Sequence, residues 1–186
     1  VTKGLKAWLN KNNIDYDYNK AKTTASSYFK FETGKGSYEI RVSNHTKANA
    51  NDKGGIDIQL YDLNDGFSVD IDTAYGFTSK DIQNIIKDAE RINGEVHKNE
   101  KLKKMLEDET LLERYYNERY IPSKHTKFIE DVVNSIGIEE SEFGILGDIV
   151  NNMFDQSLHK SGVYKKMVEE REKKIQEQKE KEAKEK

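Results

Sequence analysis

Three runs of alternating apolar and polar residues organise the first half of the chain. The sharpest is Tyr38-Glu39-Ile40-Arg41-Val42-Ser43-Asn44-His45. Successive side chains of a strand point to opposite faces, so Ile40 and Val42 fall on one side and Glu39, Arg41, Ser43 and His45 on the other. Ser26 to Glu32 reads as the preceding strand, with Phe29 and Phe31 together. Gly34-Lys35-Gly36 is the turn that closes the two into a hairpin, because glycine reaches positive φ at little cost. After a polar loop, Thr46 to Gly55, the alternation resumes in Ile56 to Tyr61. Asn64-Asp65-Gly66 turns the chain, and Phe67 to Asp72 follows with Phe67, Val69 and Ile71 inward.

Helical periods flank these strands. Residues 2–13 place Leu5, Trp8 and Leu9 on one face, and Asn12 and Asn13 can close that helix. Ile14 to Tyr18 alternates weakly. Thr78 followed by Asp81 is a capping pair, and Ile82, Ile85, Ile86, Ala89 and Ile92 form a stripe that predicts a helix covering the sheet and ending at Asn93-Gly94. Residues 1–95 thus read as an α+β domain: an N-terminal helix, a three- or four-stranded antiparallel sheet and a covering helix.

An all-helical extension is predicted beyond it. Residues 96–162 read as a helical extension or small bundle. One helix runs from His97 to about Tyr120, a second is capped by Ser123 after Pro122 and stopped by Gly137, and a third holds Ile145 to Phe154. Residues 163–186 are mostly Lys, Glu and Gln at i,i+4 spacing, a solvated helix expected to fray toward Lys186. Tyr115, Tyr116 and Tyr120 read as helix packing.

Charge sharpens this picture. The 186 residues carry a net charge of -3, so the whole molecule is not a basic nucleic-acid binder. Residues 1–53 hold 10 Lys/Arg against 5 Asp/Glu, whereas residues 54–97 hold 3 against 9. The first segment suits phosphate, and the second suits a basic groove or a metal. Cysteine is absent, which excludes disulfides and thiolate chemistry and fits a reducing cytoplasm. No apolar run approaches a membrane span, and no signal peptide is evident.

No phosphate-binding loop, dinucleotide fingerprint or metalloprotease histidine pair is present. Candidate chemistry therefore rests on constellations. Glu39, Arg41 and His45 share one ridge, and residues i and i+2 of a strand lie about 6.5–7 Å apart, close enough to flank one phosphate. RNA cleavage needs a base for the 2′-hydroxyl, an acid for the leaving oxygen and a cation for the phosphorane, jobs that suit these three. An ordinary solvated strand face has the same composition. Tyr38, Ser43, Asn44, Lys30, Lys35 and Lys47 are candidate contacts to nucleic acid or a partner. So are Asp57, Asp70 and Asp72, which together with Glu39 offer a second possibility, a carboxylate site for Mg²⁺ or Mn²⁺. No cofactor is otherwise indicated. The same acids, with Asp62 and Asp65, also suit a non-enzymatic role in which an acidic ridge fills a groove built for nucleic acid.

The run Tyr38 to His45, the polar loop after it and the Ile/Asp-rich strand resemble anti-CRISPR proteins of phages and plasmids of Gram-positive bacteria, which act on type II-A Cas9. Leu5-Lys6-Ala7-Trp8-Leu9 through Tyr16 resembles the start of related mobile-element proteins. The resemblance covers about residues 1–93. It implies a partner, Cas9 with its guide RNA, in the bacterial host cytoplasm and no membrane. It further implies an inhibitor associated with guide RNA truncation, ribonuclease-like if the ridge itself cuts. Two alternatives stand beside it: a stoichiometric protein-binding inhibitor with an acidic face, and a mobile-element RNA- or DNA-binding protein.

Overall fold

Apolar residues two apart and apolar residues three or four apart cannot share one kind of element, and the chain separates them accordingly. A computed structural model describes residues 1–22, 26–33, 36–43, 55–61, 68–72, 78–140 and 142–185. The described residues form α1 (Thr2–Lys11), five strands and six further helices: β1 (Tyr16–Lys20), β2 (Ser26–Glu32), β3 (Ser37–Ser43), β4 (Gly55–Tyr61), β5 (Ser68–Asp72), α2 (Ser79–Lys98), α3 (Glu100–Glu107), α4 (Glu109–Glu118), α5 (Pro122–Ile136), α6 (Ile145–Lys160) and α7 (Val163–Lys184). The class is α+β. The sheet has five strands in the order β1-β2-β3-β4-β5, every neighbouring pair antiparallel. The strand added to the sequence reading is β1, whose alternating positions are tyrosine and not aliphatic.

The chain divides into two compact units. The first holds residues 1–94 and 139–148, the second residues 95–138 and 149–186, so the division falls within α2 and within α6.

In the first unit, alternation buries Phe29, Phe31, Tyr38, Ile40, Val42, Ile56 and Ile58 on one face of the sheet. Trp8 of α1 meets Phe31 edge-on, with ring centroids 6.1 Å apart, and the Tyr38 hydroxyl reaches Glu90 of α2. Both helices therefore lie on that face. The Thr78–Asp81 capping pair forms as read: Asp81 Oδ2 accepts from the Thr78 backbone N–H at 2.8 Å, and the Asp81 N–H donates back to Thr78 Oγ1 at 3.3 Å. The helix does not stop at Gly94, because Ile92 and Val96 on either side are fully buried. Their burial outweighs the roughly 1 kcal/mol that glycine costs inside a helix.

Gly4 marks the closest approach of α1 and α2. A Cβ there would lie 2.3 Å from Ser79 Oγ and 2.7 Å from Ser79 Cβ. Overpacking of this kind costs about 1–3 kcal/mol. Gly4→Ala is expected to destabilise the protein despite alanine's better helix propensity, whereas in a Ser79→Gly background it is expected to be neutral or stabilising. Urea unfolding followed by the fluorescence of Trp8 checks both. Equal losses in the two backgrounds would remove the Gly4–Ser79 contact as the cause.

In the second unit, two short helices replace the single one expected from His97 to Tyr120. Asn99 caps α3 by accepting from the Leu102 N–H, and Asp108 caps α4 by accepting from the Thr110 and Leu111 N–H groups. Ser123 does not cap α5. Ile121 occupies the cap position and Pro122 starts the helix, where its missing N–H costs nothing. Gly137 ends α5 at φ 70°, as read. The unit's core is aromatic: Phe154 stacks with Tyr115 at 5.7 Å and meets Phe128 edge-on at 5.1 Å. The start of α7 is held against α4, where Lys166 pairs with Glu109 and Glu113. Beyond Val168 the described residues of α7 are exposed. No helix among the described residues is long and apolar enough to cross a membrane.

Candidate partner-binding face of the sheet

The register turns the polar ridge of one strand into two rows that cross the whole sheet. One row is Asp17, Lys30, Glu39, Gln59 and Asp70; the other is Asn19, Tyr28, Arg41, Asp57 and Asp72. Strand neighbours in such rows lie close enough for their side chains to interact. Lys30 Nζ stands 3.9 Å from Glu39 Oε2, and Arg41 Nε stands 3.4 Å from Asp57 Oδ2. Both pairs are exposed, and exposed pairs are worth about 0–1 kcal/mol, so a partner can displace them. The ten positions hold five carboxylates and two cations, a balance of three negative charges.

Several candidate residues thus meet. Glu39 and Arg41 share the open face two positions apart, as alternation requires, and Lys30 and Asp57 are their ion-pair partners. The register sets Asp72 opposite Asp57 and Asp70 opposite Gln59. Ser43 ends β3 opposite Gly55. Tyr38 is different. It stands in phase with Ile40, its side chain is 2% exposed, and its hydroxyl donates to Glu90 Oε1 at 2.9 Å. A side chain enclosed in this way is a structural anchor of the helix-covered face and is not offered to a partner. His45, Asn44, Lys35 and Lys47 lie outside the described residues.

The covered face carries a half-buried polar contact that the pattern did not reveal. Glu90 Oε1 accepts from Thr33 Oγ1 at 2.6 Å as well as from Tyr38. Burial is the main reason the Tyr38 phenol is held far above its usual pKa, and the negative charge and hydrogen bond of Glu90 add to it. The available signal was Glu90's position beside the apolar stripe, one turn beyond Ile86. A cavity of about 290 Å³ opens nearby, lined by Trp8, Ile14, Ile86, Lys87 and Glu90 among others. It lies on the helix side of the sheet, away from Glu39 and Arg41.

No group of three or more His, Cys, Asp or Glu residues able to hold a metal ion occurs among the described residues. A scan against protein-family models finds no match, and neither the curated proteins nor the solved structures compared with the chain give one.

Proposed function

We propose that the protein is a stoichiometric inhibitor of the type II-A Cas9–guide RNA complex, docking through the polar face of its sheet into a groove that normally holds nucleic-acid phosphate. One observation carries the choice of mechanism: the two rows of this face hold five carboxylates against the two cations Lys30 and Arg41, so its balance is acidic. Such a face repels phosphate and attracts a basic surface. Cas9 as the target rests on the resemblance of residues 1–93. Guide RNA truncation by Glu39, Arg41 and His45 is the competing mechanism, and one experiment separates the two.

Purified protein is mixed with Cas9 and labelled guide RNA, and both DNA cleavage and guide length are read on denaturing gels. Blocked DNA cleavage with intact guide is expected. Asp70→Lys/Asp72→Lys is expected to weaken inhibition about tenfold or more at low salt and less at high salt, since exposed charges are screened beyond about 10 Å at 0.1 M ionic strength. Arg41→Ala is expected to leave inhibition largely intact. Shortened guide that is restored by Arg41→Ala would assign the face to RNA cleavage. No binding to Cas9 would end the reading altogether.

A further inference from the structure

The second unit carries an aromatic cluster that none of the readings above uses. Arg119, just past the end of α4, lies under three tyrosine rings. Its guanidinium carbon is 4.4 Å from the centroid of Tyr116, 4.7 Å from Tyr120 and 5.3 Å from Tyr164. His159 packs on the far side of Tyr164, with centroids 4.3 Å apart. The cluster gathers the end of α4, the end of α6 and the start of α7.

Tyr120 departs from its expected role in helix packing. Its side chain is 83% exposed, and the adjoining Ile121 is 42% exposed. Only Ile175 joins them as a large exposed hydrophobic residue among the described residues. Single exposed apolar residues are common, but an open ring next to an open isoleucine, backed by a stacked guanidinium, is a ready-made contact surface.

Charge selects the occupant. The segments Arg119 to Lys127 and His159 to Lys166 together hold six Lys/Arg residues and no Asp or Glu, in a chain of net charge -3. Three acids near the cluster are occupied: Glu118 by Arg114, and Glu109 and Glu113 by Lys166. The Arg119 Nε is buried without a hydrogen-bond partner. Lys166 is tied to Glu109 and Glu113 and Lys127 to Asp131, which leaves Arg119, Lys124, Lys160 and Lys165 as the cations of these segments. An open aromatic face with such cations is the arrangement by which proteins hold single-stranded nucleic acid: bases stack on the ring and phosphates meet the cations.

We infer that Tyr120, with Arg119, Tyr116 and Tyr164, forms a stacking site for single-stranded RNA on the helical unit. This site is separate from the sheet face and is independent of the Cas9 reading. Tyr120 supplies the platform, Tyr116 and Tyr164 fix the guanidinium, and Lys124, Lys160 and Lys165 follow the backbone.

The test is fluorescence anisotropy at low salt with a fluorescein-labelled single-stranded oligouridylate, with no Cas9 present. Saturable binding by the intact chain is expected, weaker for a duplex of equal length because paired bases cannot stack. Tyr120→Ala is expected to weaken it about tenfold, within the range of one lost base–aromatic stack, with an unchanged thermal melt because the side chain is exposed. Tyr120→Trp is expected to retain binding, and Asp70→Lys/Asp72→Lys is expected not to weaken it. No saturable binding by the intact chain would overturn the inference. So would equal binding by the intact chain, Tyr120→Ala and Arg119→Ala. If Tyr120→Ala weakened capture of Cas9 while the oligonucleotide never bound, the patch would be a protein-docking surface and the RNA assignment would fall.

Discussion

Replacing Phe154 with alanine is expected to cost about 3–5 kcal/mol, the range measured for large aromatic truncations in protein cores. The side chain is fully buried, stacks with Tyr115 and meets Phe128 edge-on. Its loss removes one member of a three-ring core and leaves a cavity that the neighbours can fill only in part. Tyr115 has little freedom to follow, because its hydroxyl donates to Asn151 Oδ1 at 2.7 Å. Domains are stable by only about 5–15 kcal/mol, so this one change consumes a large share. Urea unfolding followed by helical circular dichroism measures it. A cost below about 1 kcal/mol would mean that α4, α5 and α6 are not held by this aromatic core.

The second large effect is expected at Glu90. Glu90→Ala removes the acceptor of both Thr33 Oγ1 and the Tyr38 hydroxyl. The Tyr38 hydroxyl is left without this partner, and a loss of about 1–3 kcal/mol is expected. Tyr38→Phe takes the stranded hydroxyl away. A double-mutant cycle should therefore show that Glu90→Ala costs less in the Tyr38→Phe background than in the intact chain. Additive losses would mean that the Glu90–Tyr38 bond contributes nothing to stability. The same contact sets an alkaline limit. The folded state holds Tyr38 protonated above its ordinary pKa of about 10, and burial acts likewise on Tyr115. A raised pKa favours the fold below the unfolded value, and that contribution is lost as pH rises above about 10. Tyrosinate absorbance during an alkaline titration should show a late-ionising class, together with loss of helical signal.

Strands β2, β3 and β4 were legible because apolar and polar residues alternate along most of each, which leaves one register of burial. β1 gave a weak pattern because its inward positions are Tyr16 and Tyr18, large rings that only partly bury. The breaks at Asn99 and Asp108 were hidden because apolar spacing continues across them. The capping residues were visible, but nothing local says that a cap will be used inside a helical period. On the sheet face, parity placed Glu39 and Arg41 together. Their pairing with Lys30 and Asp57 needed the strand order, which no single strand encodes. Tyr38 shows the opposite case: its parity with Ile40 already placed it on the covered side. Tyr120 reads as helix packing in the sequence because its exposure follows from where α4 ends and α5 begins, a matter of chain direction and not of residue type.

The strand order has a kinetic meaning. Each strand pairs with the one before it, so no hairpin waits for a distant segment, and the sheet can grow from β1 to β5 as the chain leaves the ribosome. Loop-closure entropy is then spent in small steps, each repaid at once by a new ladder of hydrogen bonds. Such a nascent sheet exposes its β1 edge and its growing edge to wrong pairing, and α1, already made, covers part of the apolar face before α2 emerges to cover more.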